Sequence, residues 1–342
     1  MSKFKVCIIK FGALGDVVRT SYLINAIALE KNAEITWITK SSSLPLLKNN
    51  PNITKLVDSK LIYKDILMPE YDEVISLDDE YESAKIATRL KTKFFIGAFV
   101  EDDKVTYSDN SSVWFDMGLI SKFGKNKADE LKKNNKKSHT EIFKNILNVK
   151  HVTPIFYGDK KINAKWKIKK DKNFLYIGFN LFSGERWPSK EIYQNEQVKL
   201  INLVDKYLHF CNIPHKLIIY NDNSSTQKAN FIQHHCPFVY LFNTTRSVLE
   251  FNAAILLSDY VISSDSLGLH LAIANSIPNL SFYGPTSSAE IDTFETGVKV
   301  ISLSNDYCSY KKVTDNSSLS AERIFSNWQA HFDDALRKIT YD

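Results

Sequence analysis

Cysteine is scarce in this chain and never paired. Cys7, Cys211, Cys236 and Cys308 lie far apart with no C-x-x-C spacing, which excludes a disulfide framework and a structural cysteine zinc site as readings of the sequence. All four are read as reduced thiols. No apolar run approaches the roughly 18 residues of a membrane span, and the opening MSKFKVCIIKFG enters a strand-like run directly instead of a secretory leader. A cytoplasmic protein is the expectation. Short-period repeats and long low-complexity tracts are also missing, so a solenoid or a disordered chain is not indicated.

What is present is an ordinary globular composition, 44% hydrophobic and 24% charged over 342 residues, enough for about two domains. The net charge of +5 is unevenly spread: residues 1–170 hold 30 Lys and Arg against 21 Asp and Glu, and residues 171–342 hold 14 against 18. Most of the excess falls in Lys122 to Lys170, including ELKKNNKKSHTEIFKNILNVK. That segment reads either as a solvated loop or as a patch for an anionic acceptor or an acidic membrane surface. Nucleic acid is not the expected partner, because the patch lacks interleaved aromatics and a binding motif.

Strand-like runs at Val6–Lys10, Ile35–Thr39, Leu56–Asp58, Glu73–Leu77 and Phe94–Phe99 alternate with helical segments such as Glu80–Leu90, and Thr140–Leu147 reads as a further helix. The rhythm resumes at Leu175–Phe179, Leu217–Tyr220, Val239–Phe242, Tyr260–Ser263, Asn279–Tyr283 and Val298–Ser302, with helices at Lys190–His209, Ser247–Leu257, Leu267–Asn275 and Ala321–Lys338. The fold class expected is α/β, two Rossmann-like doubly wound domains facing a central cleft. The boundaries read as a first domain over 1–155, a linker over 156–173, a second domain over 174–325 and a terminal helix over 326–342 crossing back to the first domain.

Three loops carry candidate chemistry. In FKVCIIKFGALGDVVRTSYLINAI the order is strand, glycine turn, helix, but with only Gly12 and Gly15 the turn has neither G-x-G-x-x-G nor the G-x-x-x-x-G-K-[ST] of a P-loop. Asp16 stands where the helix begins, and two readings stay open: helix capping, or a general base for a ligand that gives up a proton. In YVISSDSLGLHLAIANSIPNLSFYGPTSS two adjacent strands end in loops on one sheet edge. Ser266 and the N–H groups near Gly268 suit a phosphate at a helix N-terminus, with Thr286 and the Gly284 backbone as further donors. His270 reads as a phosphate or sugar ligand or as a satisfied buried histidine, and Asp265 as a sugar-hydroxyl ligand or a helix cap. In NLFSGERWPSKE, Ser183 and Gly184 can approach a phosphate and Arg186 can neutralise it. The alternative makes Trp187 a core residue and Arg186 a surface one.

Taken together, KFGALGDVV, SGERWPSKE, SDSLGLHLAIA and FYGPTS resemble the heptosyltransferase family, glycosyltransferase family 9, with landmarks of both halves in order. The resemblance implies a GT-B fold and an inverting, metal-independent transfer from ADP-L-glycero-β-D-manno-heptose to lipopolysaccharide core, another saccharide or a protein hydroxyl. No cofactor is implied beyond this nucleotide-sugar donor. It also implies Asp16 as general base, Gly12, Gly15 and Arg19 as the acceptor-side loop, and the donor held by Ser183, Gly184, Arg186, Asp265, Ser266, Gly268, His270, Gly284 and Thr286. The expected partners are the donor and an anionic saccharide or lipid-linked acceptor, with peripheral contact at the cytoplasmic face of the inner membrane. Three departures stand out. Glu185 replaces a family lysine, the glycine of Asp265-Ser266-Leu267-Gly268 is shifted by one, and only Cys308 remains where some protein-modifying relatives carry an iron-binding cysteine cluster. A nucleotide-sugar binder without turnover is the first competing class, and an oxidoreductase on paired Rossmann-like domains, against which the absent G-x-G-x-x-G and acidic ribose partner argue, is the second.

Overall fold

The structure is a computed structural model that describes residues 3–184, 187–244 and 247–341, the last six by backbone alone. It divides into two compact units, one of Met1–Tyr157 with Ala289–Asp292, the other of Gly158–Ser288 with Thr293–Asp342.

The first unit holds six strands, β1 (Phe4–Ile9), β2 (Ala33–Thr39), β3 (Ile53–Asp58), β4 (Glu70–Ser76), β5 (Lys91–Glu101) and β6 (Lys104–Tyr107). Their order in the sheet is β3-β2-β1-β4-β5-β6. All neighbours run parallel except β5 and β6. Val6, Cys7, Ile8 and Ile9 are all buried, as expected of a central parallel strand covered on both faces. Helix α1 (Leu14–Glu30) follows β1 and sinks Val17, Val18, Leu23, Ile24 and Ile27. The hairpin strand β6 was not expected from the sequence. It forms because Asp102 and Asp103 both take positive φ, 46° and 58°, the backbone of a tight two-residue turn that aspartate tolerates.

The second unit repeats the pattern with β7 (Leu175–Asn180), β8 (His215–Asn221), β9 (Tyr240–Asn243), β10 (Tyr260–Ser264), β11 (Asn279–Tyr283) and β12 (Gly297–Ile301). The order is β12-β11-β10-β7-β8-β9, all parallel. Both sheets thus have the doubly wound arrangement in which the first and fourth strands are neighbours and the chain leaves in opposite directions on either side of them. That junction lies between β1 and β4 in one unit and between β7 and β10 in the other.

Two segments differ from the sequence reading. The basic stretch expected as a loop contains helix α2 (Gly124–Asn134), which buries only Ala128. Ion pairs of Lys125 with Asp129 and of Lys127 with Glu130, one turn apart, support it. The stretch read as a linker contains helix α3 (Lys160–Lys167), capped by Asp159, whose carboxylate accepts from the N–H groups of Lys161 and Ile162. The terminal helix α4 (Ala321–Tyr341) places Ile324, Trp328 and Phe332 in the core of the second unit, with Phe179, Leu200 and Tyr260. Among the described residues no helix is long and apolar enough to cross a membrane, and no disulfide joins the four cysteines.

Candidate active site

In the first unit the polar residues gather where β1 and β4 end. Lys10 follows β1 and Asp78 follows β4, and the Lys10 ammonium donates to the Asp78 carboxylate at 2.7 Å and to the Leu77 carbonyl at 3.1 Å. Asp78 also accepts from the backbone N–H groups of Phe11 and Gly12. One buried carboxylate therefore satisfies the donors of the glycine turn and pins it across the strand junction. Burial opposes the Lys10 charge, but Asp78, and after it Asp16, outweigh that cost and hold its pKa above the ordinary lysine value.

From this turn the chain enters α1. Ala13 holds the N-cap position and contributes no side-chain cap. Gly15 and Asp16 sit in the first helical turn, where a carboxylate suits the helix dipole. The Asp16 side chain is 38% exposed and accepts from the Arg19 guanidinium at 2.9 Å, one turn along the helix. Arg19 itself is nearly covered, lies 5.8 Å over the Trp114 ring and pairs at 3.8 Å with buried Glu290, which Lys132 also approaches at 3.3 Å. Asp16 thus has the geometry of a base: reachable from solvent, oriented by a fixed cation, and carried on a pinned turn.

In the second unit the corresponding junction is bridged by Asn180 at the end of β7. Its amide donates to Ser263 at 2.8 Å and to Ser266 at 2.6 Å, tying β7 to the loop that opens the helix Leu267–Ala274.

Ser266 occupies the N-cap position of the helix Leu267–Ala274. Gly268 lies on its first turn, and a Cβ there would meet the Asn180 side chain at 2.6 Å. The shifted glycine therefore makes room for Asn180 against the helix. Asp265, His270 and Thr286 are all buried. Lys190 donates to the Asp265 carboxylate at 3.0 Å and to its carbonyl at 2.8 Å, and His270 lies 3.9 Å from the same carboxylate. Burial would raise the Asp265 pKa, but Lys190 and then His270 hold it below the ordinary carboxylate value.

This pair sets a pH dependence. A carboxyl with a depressed folded pKa contributes stability that is complete above its unfolded pKa of 3.8 and is lost as pH falls through the lower folded value. Urea denaturation of wild type and Asp265→Asn should show the variant less stable at neutral pH, with the gap closing below about pH 4. An unchanged gap across that range would mean Asp265 is not held ionised by its neighbours.

The remaining expected donor residues are less uniform. Ser183 donates its hydroxyl to the Trp187 carbonyl at 2.8 Å and its N–H to Glu191 at 3.0 Å, so its donors serve the loop's own shape. Gly184 is exposed with open space around it. Arg186, like Glu185, lies outside the described residues. At Gly284 the space beside the backbone is taken by Asn316, whose amide donates to the carbonyls of Ser189 and Glu191. Sequence reasoning passed over Lys10, Asp78, Asn180, Lys190 and Glu290. The first three stand at the ends of the first and fourth strands, a position that strand order alone can flag. Glu290 is brought to Arg19 from far along the chain, with no local signal. A groove of about 550 Å³ bordered by Leu90, Phe95, Phe99, Tyr107 and Lys122 contains none of the candidate residues.

No protein-family model matches the sequence, and no curated protein matches it. Solved structures do match its fold over nearly the whole chain. A glycosyl transferase of family 9 from Veillonella parvula superposes with a TM-score of 0.73 at 12% identity, over 98% of this chain and 99% of that one. The ADP-heptose lipopolysaccharide heptosyltransferase II of E. coli gives 0.63 at 14% identity, over 98% and 99%. An E. coli heptosyltransferase solved with ADP gives 0.63 at 14% identity, over 96% and 100%.

Proposed function

With the GT-B arrangement of two doubly wound units as premise, we propose that the chain is an inverting, metal-independent glycosyltransferase that moves a heptose from ADP-heptose to a hydroxyl of a saccharide acceptor. The observation that carries this reading is the half-exposed Asp16 carboxylate at the strand junction of the first unit, oriented by Arg19. Asp16 takes the proton of the acceptor hydroxyl as its oxygen forms a bond to the anomeric carbon. The bond from that carbon to the β-phosphate oxygen breaks with inversion, and ADP carries away the electron pair. The developing phosphate charge is met by the N–H groups opening the helix Leu267–Ala274 and by Lys190. Asp265 and His270 hold sugar hydroxyls. The acceptor is an anionic saccharide or lipid-linked glycan drawn to the basic first unit, at the cytoplasmic face of a membrane.

A thermal-shift panel tests the donor assignment. ADP and ADP-heptose should raise the melting temperature, while UDP, GDP-mannose and NAD should not, because a ligand that binds only the folded state stabilises it. If only the other nucleotides shift it, the heptose reading fails. Binding of ADP-heptose without transfer to any saccharide or protein acceptor would instead mark a nucleotide-sugar binder.

A further inference from the structure

Far from these loops, at the opposite edge of the second sheet, the structure gathers a different set of side chains. Asp205 and His209 stand one turn apart on the helix Gln194–Phe210, and the chain returns through a left-handed residue, Asn212 (φ 56°), to place His215 as the first residue of β8. The three ligand atoms all lie within 4.8 Å of one another. His215 Nε2 is 2.9 Å from Asp205 Oδ1, and His209 Nε2 is 3.7 Å from the same oxygen.

The hydrogen bonding of His215 is informative. Its Nδ1 lies 2.8 Å from the Ile213 carbonyl, which can only accept, so Nδ1 carries a hydrogen. In the neutral ring Nε2 then presents a lone pair toward a carboxylate oxygen, and two acceptors face each other. A cation between them resolves this, either a second proton on the ring or a metal ion. The second histidine at the same point favours the ion. A ring N–H bound to a backbone carbonyl is also the usual outer support of a metal-ligating histidine, because it fixes the tautomer and orients the ring.

We infer that Asp205, His209 and His215 form a binding site for a divalent ion of the zinc class. Zinc bonds to imidazole nitrogen and carboxylate oxygen are about 2.0–2.2 Å, which puts tetrahedral ligand atoms about 3.3–3.5 Å apart. The two distances to Asp205, 2.9 and 3.7 Å, bracket that spacing, and no pair of the three ligand atoms is more than 4.8 Å apart, so side-chain shifts of about an ångström bring them into place. The His215 side chain is 5% exposed and His209 73%, so one side of the site is walled by protein and the other admits the ion with water to complete its coordination. Two imidazoles and one carboxylate suit zinc better than calcium or magnesium, which prefer all-oxygen ligands. Lying at the amino end of β8, the ion would clip a helix to a strand, stabilising the second unit without entering the proposed transfer chemistry.

The test uses tag-free, chelator-treated full-length protein, titrated with Zn²⁺ by calorimetry and with Co²⁺ by visible absorption. One ion per chain, a raised melting temperature and a tetrahedral Co²⁺ spectrum are expected. His209→Gln, at an exposed position, should weaken Zn²⁺ binding about tenfold or more and remove the spectrum. His235→Gln, on another helix, should bind as wild type does. No binding at micromolar Zn²⁺, retention of wild-type affinity by His209→Gln, or loss in His235→Gln would each overturn the assignment. None of these readouts depends on glycosyl transfer, so the site and the proposed function stand or fall separately.

Discussion

Asp16→Asn should lower turnover by about 10²–10⁴-fold while leaving donor binding intact, the usual loss when a positioned general base is removed. The amide keeps the size of the side chain and can still meet Arg19, but it has no basic lone pair for the acceptor proton. Donor affinity should not move, because the residues proposed to hold the nucleotide belong to the second unit. The measurement is kcat with ADP-heptose and a saccharide acceptor, alongside ADP affinity by calorimetry. Turnover within about a factor of three of wild type would remove Asp16 from the chemistry. Its carboxylate would then be a first-turn helix residue paired with Arg19, and nothing more.

The second large effect concerns the turn beneath it. Asp78→Ala should destabilise the protein by about 3–5 kcal/mol, because it strands the buried Lys10 ammonium without its partner. The side chains of the pair are only 11% and 3% exposed, so water cannot replace the lost carboxylate. The substitution also deprives the Phe11 and Gly12 N–H groups of their acceptor. Lys10→Met should cost less, since Asp78 keeps both backbone donors. Urea denaturation of the two variants gives the comparison. If Asp78→Ala costs under about 1 kcal/mol, the carboxylate does not hold the turn and the support argued for Asp16 fails.

Strand periodicity and turn chemistry made the two doubly wound units legible before any coordinates. The runs Val6–Ile9, Tyr260–Ser264 and Asn279–Tyr283 are buried throughout and mostly apolar because parallel strands are covered on both faces. Patterns of lower hydrophobicity were misread for a physical reason. Gly124–Asn134 is polar nearly all round, so no apolar stripe announces a helix that side-chain ion pairs support. Lys104–Tyr107 is too short to show alternation and exists through its hairpin partner.

At the candidate site the division is similar. The sequence by itself determined the strand, glycine turn and helix that carry Asp16, and the Asp265-to-His270 loop, because both are written in contiguous residues whose local propensities agree. Only the tertiary structure decided that Asp78 holds the first turn, that Lys190 and His270 keep Asp265 charged, that Asn180 demands a glycine at 268, and that Glu290 reaches Arg19. Except for His270, in the same stretch as Asp265, those partners are separated by tens to hundreds of positions along the chain. Their meeting depends on which strand ends the sheet order brings side by side, and on the low-dielectric interior that makes an unpaired charge too costly to leave there.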